Sequence, residues 1–158
     1  MLTRVIPPDR PPARFRIEEL VSRRTFKRHG VSSLRFIDRN IFTILNAYVQ
    51  RFPGKKIYAN TWPFQNHDSA LKPFEYRGYR EPECTEGAKE SAHRRGMAID
   101  LDVEDVSSLE VQKIIKAEFE KFWRFFGLTG IEDGTVGWTH NTCETWGTEE
   151  LKLISIPK

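Results

Sequence analysis

Cysteine is scarce in this 158-residue chain, which carries only Cys84 and Cys143. That excludes a multi-bridge disulfide scaffold, and two isolated thiols lack the paired spacing of a zinc ribbon, so at most one bridge can form. Long apolar runs are absent as well. No stretch approaches the roughly 20 residues that a membrane-spanning helix needs. Residues Met1 to Ala13 are rich in proline and arginine and have no apolar core, which argues against a secretory signal. Synthesis in the cytoplasm without a signal peptide is therefore expected, with no membrane association. The net charge is only +3. It permits attraction to an anionic polymer such as a cell wall, while the basic residues read as scattered, solvated charge and not as a nucleic-acid footprint. There is no internal repeat and no low-complexity segment.

What remains is ordinary globular material, 39% hydrophobic and 30% charged, enough for one domain with a real core. Residues 1–14 read as a Pro-rich arm that packs on the domain or on a partner, and 15–158 as a single domain. Ser33 is a candidate cap for a helix whose apolar positions Leu34, Ile37, Ile41, Ile44, Leu45, Tyr48, Val49 and Phe52 follow helical spacing up to Pro53-Gly54. Lys56 to Trp62 reads as a strand. The stretch from Pro63 to Glu90, rich in Pro, Gly and charge, reads as a long loop of the kind that carries function. Ser107-Ser108-Leu109-Glu110 is a capping box for a second long helix, with Val111, Ile114, Ile115, Phe119, Phe122, Trp123 and Phe126 as its stripe and Gly127 as its end. Thr129 to Glu144 reads as a hairpin turning at Asp133-Gly134. This order predicts an α+β domain in which an antiparallel sheet packs with helices.

The most informative stretch is Ser91-Ala92-His93-Arg94-Arg95-Gly96-Met97-Ala98-Ile99-Asp100. Imidazole and carboxylate are the usual ligands of a catalytic zinc, which takes three protein groups and keeps a fourth position open. His93 and Asp100 lie seven residues apart, so on one continuous strand they would face opposite ways. A bend at Gly96 removes the conflict. Beyond it Met97, Ile99, Leu101 and Val103 form an apolar face, and Ala98, Asp100 and Asp102 a cleft face. His140, in a second strand-like segment, is the candidate third ligand. His29, His67 and Trp62, Trp138 and Trp146 receive no role.

These residues resemble the zinc D-alanyl-D-alanine carboxypeptidase family, which includes phage endolysins and shares its fold with the hedgehog signalling domain. The family motif of Ser, any residue, His, two residues, Gly, any residue, Ala, any residue and Asp is filled by Ser91, His93, Gly96, Ala98 and Asp100. Gly78-Tyr79-Arg80 matches an upstream element and His140 the downstream histidine, so the likeness spans roughly Phe15 to Glu144. The resemblance implies a hedgehog/DD-peptidase-like fold and a Zn2+ ion held by His93, Asp100 and His140. It also implies Arg80 gripping a carboxylate of a peptidoglycan peptide. Two family acids are missing, with Gly137 standing three residues before the third ligand and Thr142 two residues after it.

The expected activity is hydrolysis of an amide bond in a bacterial cell-wall peptide by a carboxypeptidase or endopeptidase. A carboxylate near the metal is needed to move the attacking water's proton to the leaving amine. Asp133 is favoured for this role, then Glu132, with Glu144 a further candidate. Arg80 and Ser91 are the substrate-side residues, Ser91 orienting the site through a hydrogen bond. The expected place of action is the wall, after lysis or from a virion, with the N-terminal arm available to a virion or tail partner. The alternative is a non-catalytic zinc domain, structural or wall-binding, that has lost its base. A plain nucleic-acid-binding module leaves the His/Asp motif unexplained.

Overall fold

Asp38, not Ser33, starts the first long helix, α2 (Arg39–Arg51). Its carboxylate accepts from the Asn40 backbone N–H and side-chain amide, each at 2.8 Å. Residues 30–36 instead form a 3₁₀ stretch in which the Ser33 hydroxyl donates to the Gly30 carbonyl at 2.7 Å. A tertiary contact overrides the helical spacing here. Asp38 donates its own N–H to the Gly96 carbonyl at 2.9 Å, so the chain at 37–38 must stay extended. The computed structural model describes residues 4–64, 73–145 and 150–155. Among these the other α-helices are α1 (Arg23–His29) and α3 (Ser108–Glu118), and the strands are β1 (Ile57–Tyr58), β2 (Ala98–Val103), β3 (Gly130–Asp133), β4 (Thr139–Thr142) and β5 (Lys152–Ser155).

The strands form one sheet in the order β1-β2-β4-β3-β5. The first four pair antiparallel, as expected, but β5 runs parallel to β3, so the sheet is mixed and not purely antiparallel. The hairpin has a wider connection than an Asp133-Gly134 turn: β3 ends at Asp133 and β4 begins at Thr139. Positive φ at Gly134 and Gly137 shapes that link. Gln112 of α3 pins it, accepting from the Gly134 N–H and donating to the Thr135 carbonyl. The predicted strand from Lys56 to Trp62 is real only at Ile57–Tyr58, since Trp62–Phe64 turns as a 3₁₀ segment.

One face of the sheet carries the core. Ile99, Leu101 and Val103 of β2 and Ile131 of β3 meet Ile41, Ile44, Leu45 and Tyr48 of α2 and Val111 and Ile115 of α3. Burying one such aliphatic side chain stabilises the fold by about 1.5–3 kcal/mol. Ser107 caps α3 by accepting from the Glu110 N–H, as its sequence indicates. The helix does not run on to Gly127, however. It stops at Glu118, and two 3₁₀ turns, Phe119–Lys121 and Trp123–Phe126, continue around a break at Phe122. The break lets fully buried Trp123 meet Tyr48 edge-on at 5.1 Å while Phe122 packs perpendicular to it at 5.2 Å. The buried Tyr48 hydroxyl donates to Asn141 Oδ1, so the polar group is satisfied.

The N-terminal arm lies on its own domain. Val5 donates its N–H to the Phe125 carbonyl, and Arg39 of α2 reaches the carbonyls of Pro7 and Pro8. Cys84 and Cys143 are both free and buried. Among the described residues no helix is long and apolar enough to cross a membrane.

Candidate metal centre

His93 is delivered by a turn, not a strand. Ser91 caps the 3₁₀ turn Ala92–Arg95, its hydroxyl accepting from the His93 N–H at 3.3 Å, and Gly96 ends the turn in the left-handed region at φ 69°. A side chain at Gly96 would place its Cβ 1.9 Å from the Phe36 carbonyl oxygen, so the bend requires glycine on both conformational and steric grounds. The chain then enters β2 and alternation brings Asp100 to the face opposite the core. Asp100 stands directly across from His140 in the β2–β4 register.

The three side chains are buried and converge. His93 Nε2 lies 3.2 Å from His140 Nδ1 and 3.2 Å from Asp100 Oδ1, and His140 Nδ1 lies 2.8 Å from the same oxygen. A tetrahedral zinc with ligands at about 2.0–2.2 Å has ligand–ligand edges of roughly 3.3–3.5 Å, so these atoms outline one slightly contracted face of that tetrahedron. The donor set fits a cation. His93 Nδ1 is 2.9 Å from the Gly78 carbonyl, which can only accept, so Nδ1 carries the proton and Nε2 turns a lone pair inward. His93 Nε2 and Asp100 Oδ1 thus turn lone pairs to one point, and His140 Nδ1, 2.8 Å from that carboxylate oxygen, holds a proton there that a bound cation would displace.

The electrostatics describe a tightly coupled trio. Burial alone pushes the Asp100 carboxyl up, but the charges and hydrogen bonds of His93 and His140 outweigh it and hold the group well below the ordinary carboxylate range. Burial likewise pulls His140 down, and the bond and charge of Asp100, with Glu132 adding, leave it raised.

The other anticipated residues divide by strand face. Glu132 precedes Asp133 on β3, where the pairing with β4 joins Gly130 to Thr142 and Ile131 to Asn141, and alternation after core-facing Ile131 puts Glu132 on the His140 face of the sheet. Asp100 and His140 are cross-strand partners, and Glu132 lies on the same face of the adjoining strand, with neighbouring strands about 4.8 Å apart. Glu132 accepts from the Thr135 hydroxyl at 3.0 Å. Asp133 follows core-facing Ile131 by two residues and pairs with Lys116 of α3, on the opposite side of the sheet from His140. Adjacent strand residues face opposite ways, so Glu132, and not Asp133, is on the His140 face. Glu144 pairs with Arg95 beyond the end of β4. Arg80 is part of the centre: its Nη2 lies 3.7 Å from Asp100 Oδ2, too far for a hydrogen bond, while Nε donates to the Tyr76 carbonyl. Ser91 acts through the cap.

Two contributors escape sequence reading. Gly78 acts through its carbonyl, which leaves no side-chain signal; a Cβ there would sit 2.0 Å from the Leu20 carbonyl oxygen. Arg77 is buried, pairs with Asp102, stacks on Phe74 at 3.5 Å, and accepts the Asp100 N–H on its own carbonyl at 2.7 Å. Its signal was available, because a second acid on the cleft face of β2 requires a cation. Burial pushes the Asp102 carboxyl up and Arg77 only partly offsets this. Trp138 stays partly exposed beside Arg77, at 5.9 Å from the guanidinium. His67 and Trp146 lie outside the described residues. His29 stacks edge-on against Phe36 and is not one of the grouped trio. No family model, curated protein or solved structure matches the chain.

Proposed function

We propose that this chain is a zinc-dependent peptidase, of the D-alanyl-D-alanine carboxypeptidase type on a hedgehog/DD-peptidase-like fold, that hydrolyses an amide bond in a bacterial cell-wall peptide. The observation that carries the reading is the convergence of His93 Nε2, Asp100 Oδ1 and His140 Nδ1 on one point, backed by the Gly78 carbonyl. These three residues would hold the ion, which when bound supplies a Lewis acid for the scissile carbonyl and acidifies water. Glu132, on the same face of the sheet as two of the ligands, accepts the proton of the attacking water and returns it to the leaving amine. The Thr135 hydroxyl holds one of its oxygens. Arg80 has Nη2 beside Asp100 and Nη1 beside Gly87, and can take a substrate carboxylate in its planar fork. Trp138 offers a partly exposed apolar wall on the same face, two residues before His140. Action on the wall after lysis or from a virion belongs to this reading.

The test is hydrolysis of purified peptidoglycan by the zinc-loaded full chain, with a chelator control and two isosteric variants. Glu132→Gln is expected to lose roughly a hundred- to ten-thousand-fold in rate while keeping its zinc. Asp133→Asn, on the far side of the sheet, should retain most of its activity. If zinc is bound and the wild type releases no new amine from any wall peptide, the non-catalytic zinc domain is the correct description instead.

A further inference from the structure

Four cations crowd α1: Arg23, Arg24, Lys27 and Arg28, with no acid on the helix. They exceed the surplus of the whole chain, +3, leaving the remaining residues at −1 (3 minus 4). Four of the 25 basic residues thus share one seven-residue helix that carries no acid. Helix stability does not account for it. Arg23 and Arg24 occupy the first turn, at the positive end of the dipole, and Arg23/Lys27 and Arg24/Arg28 are like-charge pairs at four-residue spacing. Only Lys27, Arg28 and His29 sit at the end the dipole favours. Internal acids absorb part of the charge, with Glu75 3.9 Å from Arg23 and Glu81 4.0 Å from Arg24. Among the described residues Lys27 and Arg28 have no acidic partner. They and Arg24 are exposed and border a surface groove of about 390 Å³. A smaller hollow of about 230 Å³ continues from it past Arg24 and Arg28 to Tyr79 and Glu81.

This hollow backs onto the metal centre. The segment 78–81 alternates: the Gly78 carbonyl holds His93 and Arg80 leans on Asp100, whereas Tyr79 and Glu81 line the hollow. We propose that the α1 face docks a phosphodiester-linked anionic wall polymer, which keeps the domain on the wall that contains its peptide substrate. The proposal rests on the wall-peptidase reading for the identity of the polyanion. Arg24 and Arg28 are one helical turn apart, about 6 Å, which suits repeated charges along a polymer more than a single anion. Nucleic acid fits less well, because faces that bind single strands combine cations with open aromatic platforms. Here the aromatics are engaged: Phe26 packs against Trp62 at 6.1 Å, the Arg23 guanidinium covers Trp62 at 5.3 Å, and Phe36 stacks on Tyr79 at 5.1 Å.

The experiment is cosedimentation of the full chain with purified walls, before and after hydrofluoric acid removes the phosphate polymer. Wild type should bind intact walls with a logarithmic salt slope of roughly −2, three charges at about 0.7 each, and lose most binding to stripped walls. Lys27→Glu/Arg28→Glu should weaken binding by about tenfold or more at low salt, and Lys27→Gln/Arg28→Gln by less, with thermal melts confirming that both fold. Hydrolysis of a small soluble wall peptide should be unchanged in both variants. Equal binding to stripped walls, equal binding by the charge-reversed chain, or tighter binding to an oligonucleotide at equal phosphate concentration overturns the proposal. Failure of the peptidase reading looks different, since it leaves wall binding intact with no peptide cleaved.

Discussion

Gly96→Ala and Gly134→Ala share one backbone penalty and differ in what the new methyl meets. Both glycines are left-handed, at φ 69° and 84°. An alanine there costs about 1–2 kcal/mol, partly offset by about 0.4–1 kcal/mol because the unfolded chain also loses freedom. At Gly134 nothing lies within 4 Å of the added Cβ, so the net loss should stay near 1 kcal/mol. At Gly96 the Cβ would lie 1.9 Å from the Phe36 oxygen, 2.9 Å from its carbon and 3.1 Å from Ile37 Cα. Those are backbone atoms, so relief requires the 36–38 segment and the His93 turn to separate. Separation breaks the bond from the Asp38 N–H to the Gly96 carbonyl. Overpacking at about 1–3 kcal/mol and a broken hydrogen bond at about 1–3 kcal/mol, added to the backbone loss near 1 kcal/mol, bring the total to roughly 3–7 kcal/mol. Urea midpoints of the two variants measure this directly. Because the turn carries His93, zinc affinity should fall at least about tenfold in Gly96→Ala, one lost 1.4 kcal/mol, and remain unchanged in Gly134→Ala. Equal midpoints, or unchanged zinc affinity in Gly96→Ala, would refute the claim that this bend builds the centre.

Metal removal is expected to destabilise the chain, since an ion bridging the His93 turn and two strands binds only the folded state. At free zinc one hundred times Kd the loss is about 2.7 kcal/mol, or roughly 5–10 °C in Tm, and His93→Ala should melt alike with and without chelator. A second expectation concerns Glu19, whose buried carboxyl is pushed up to about 7 by desolvation, against the bond from the Arg16 N–H and the arginine charges. The folded state then keeps a proton that the unfolded chain sheds above about pH 4.5, so stability is full below that pH and falls as pH rises to about 7. The loss is on the order of 1–3 kcal/mol. Glu19→Gln should remove this slope from urea midpoints measured between pH 4.5 and 8, and an unchanged slope would show that Glu19 does not titrate in this range.

Legibility followed the range over which each feature is determined. The bend at Gly96, the alternation of β2, the Ser107 cap and the stop after Arg51 depend on neighbours within a few residues, and the sequence predicts them correctly. The start of α2 does not. Leu34 and Ile37 fit a helical stripe, yet Asp38 is pinned to Gly96, nearly sixty residues away, and the cap moves with it. The aromatic stripe from Phe119 to Phe126 likewise satisfies a helical period, while the fit of Trp123 against Tyr48 breaks the helix at Phe122. The four residues of β5 carry too little pattern to announce a strand, and their parallel pairing with β3 converts an expected antiparallel sheet into a mixed one.

The centre shows the same division at closer range. The grouping of His93, Asp100 and His140 was legible because a ten-residue stretch encodes the bend that joins two of them and strand pairing brings up the third. The choice between Glu132 and Asp133 turned on a single residue of register. The expected tight turn at Asp133-Gly134 gives no register for the wider link from Asp133 to Thr139, so it could not say which acid shares a face with His140. Once Ile131 is fixed in the core, alternation sends Asp133 to Lys116 and leaves Glu132 on the face of Asp100 and His140. Gly137 thus need not mark a lost activity. A carboxylate on the neighbouring strand reaches the same face of the sheet as an acid carried on β4 itself, because β3 pairs with β4 at Gly130 and Ile131 and alternation turns Glu132 toward the side of His140.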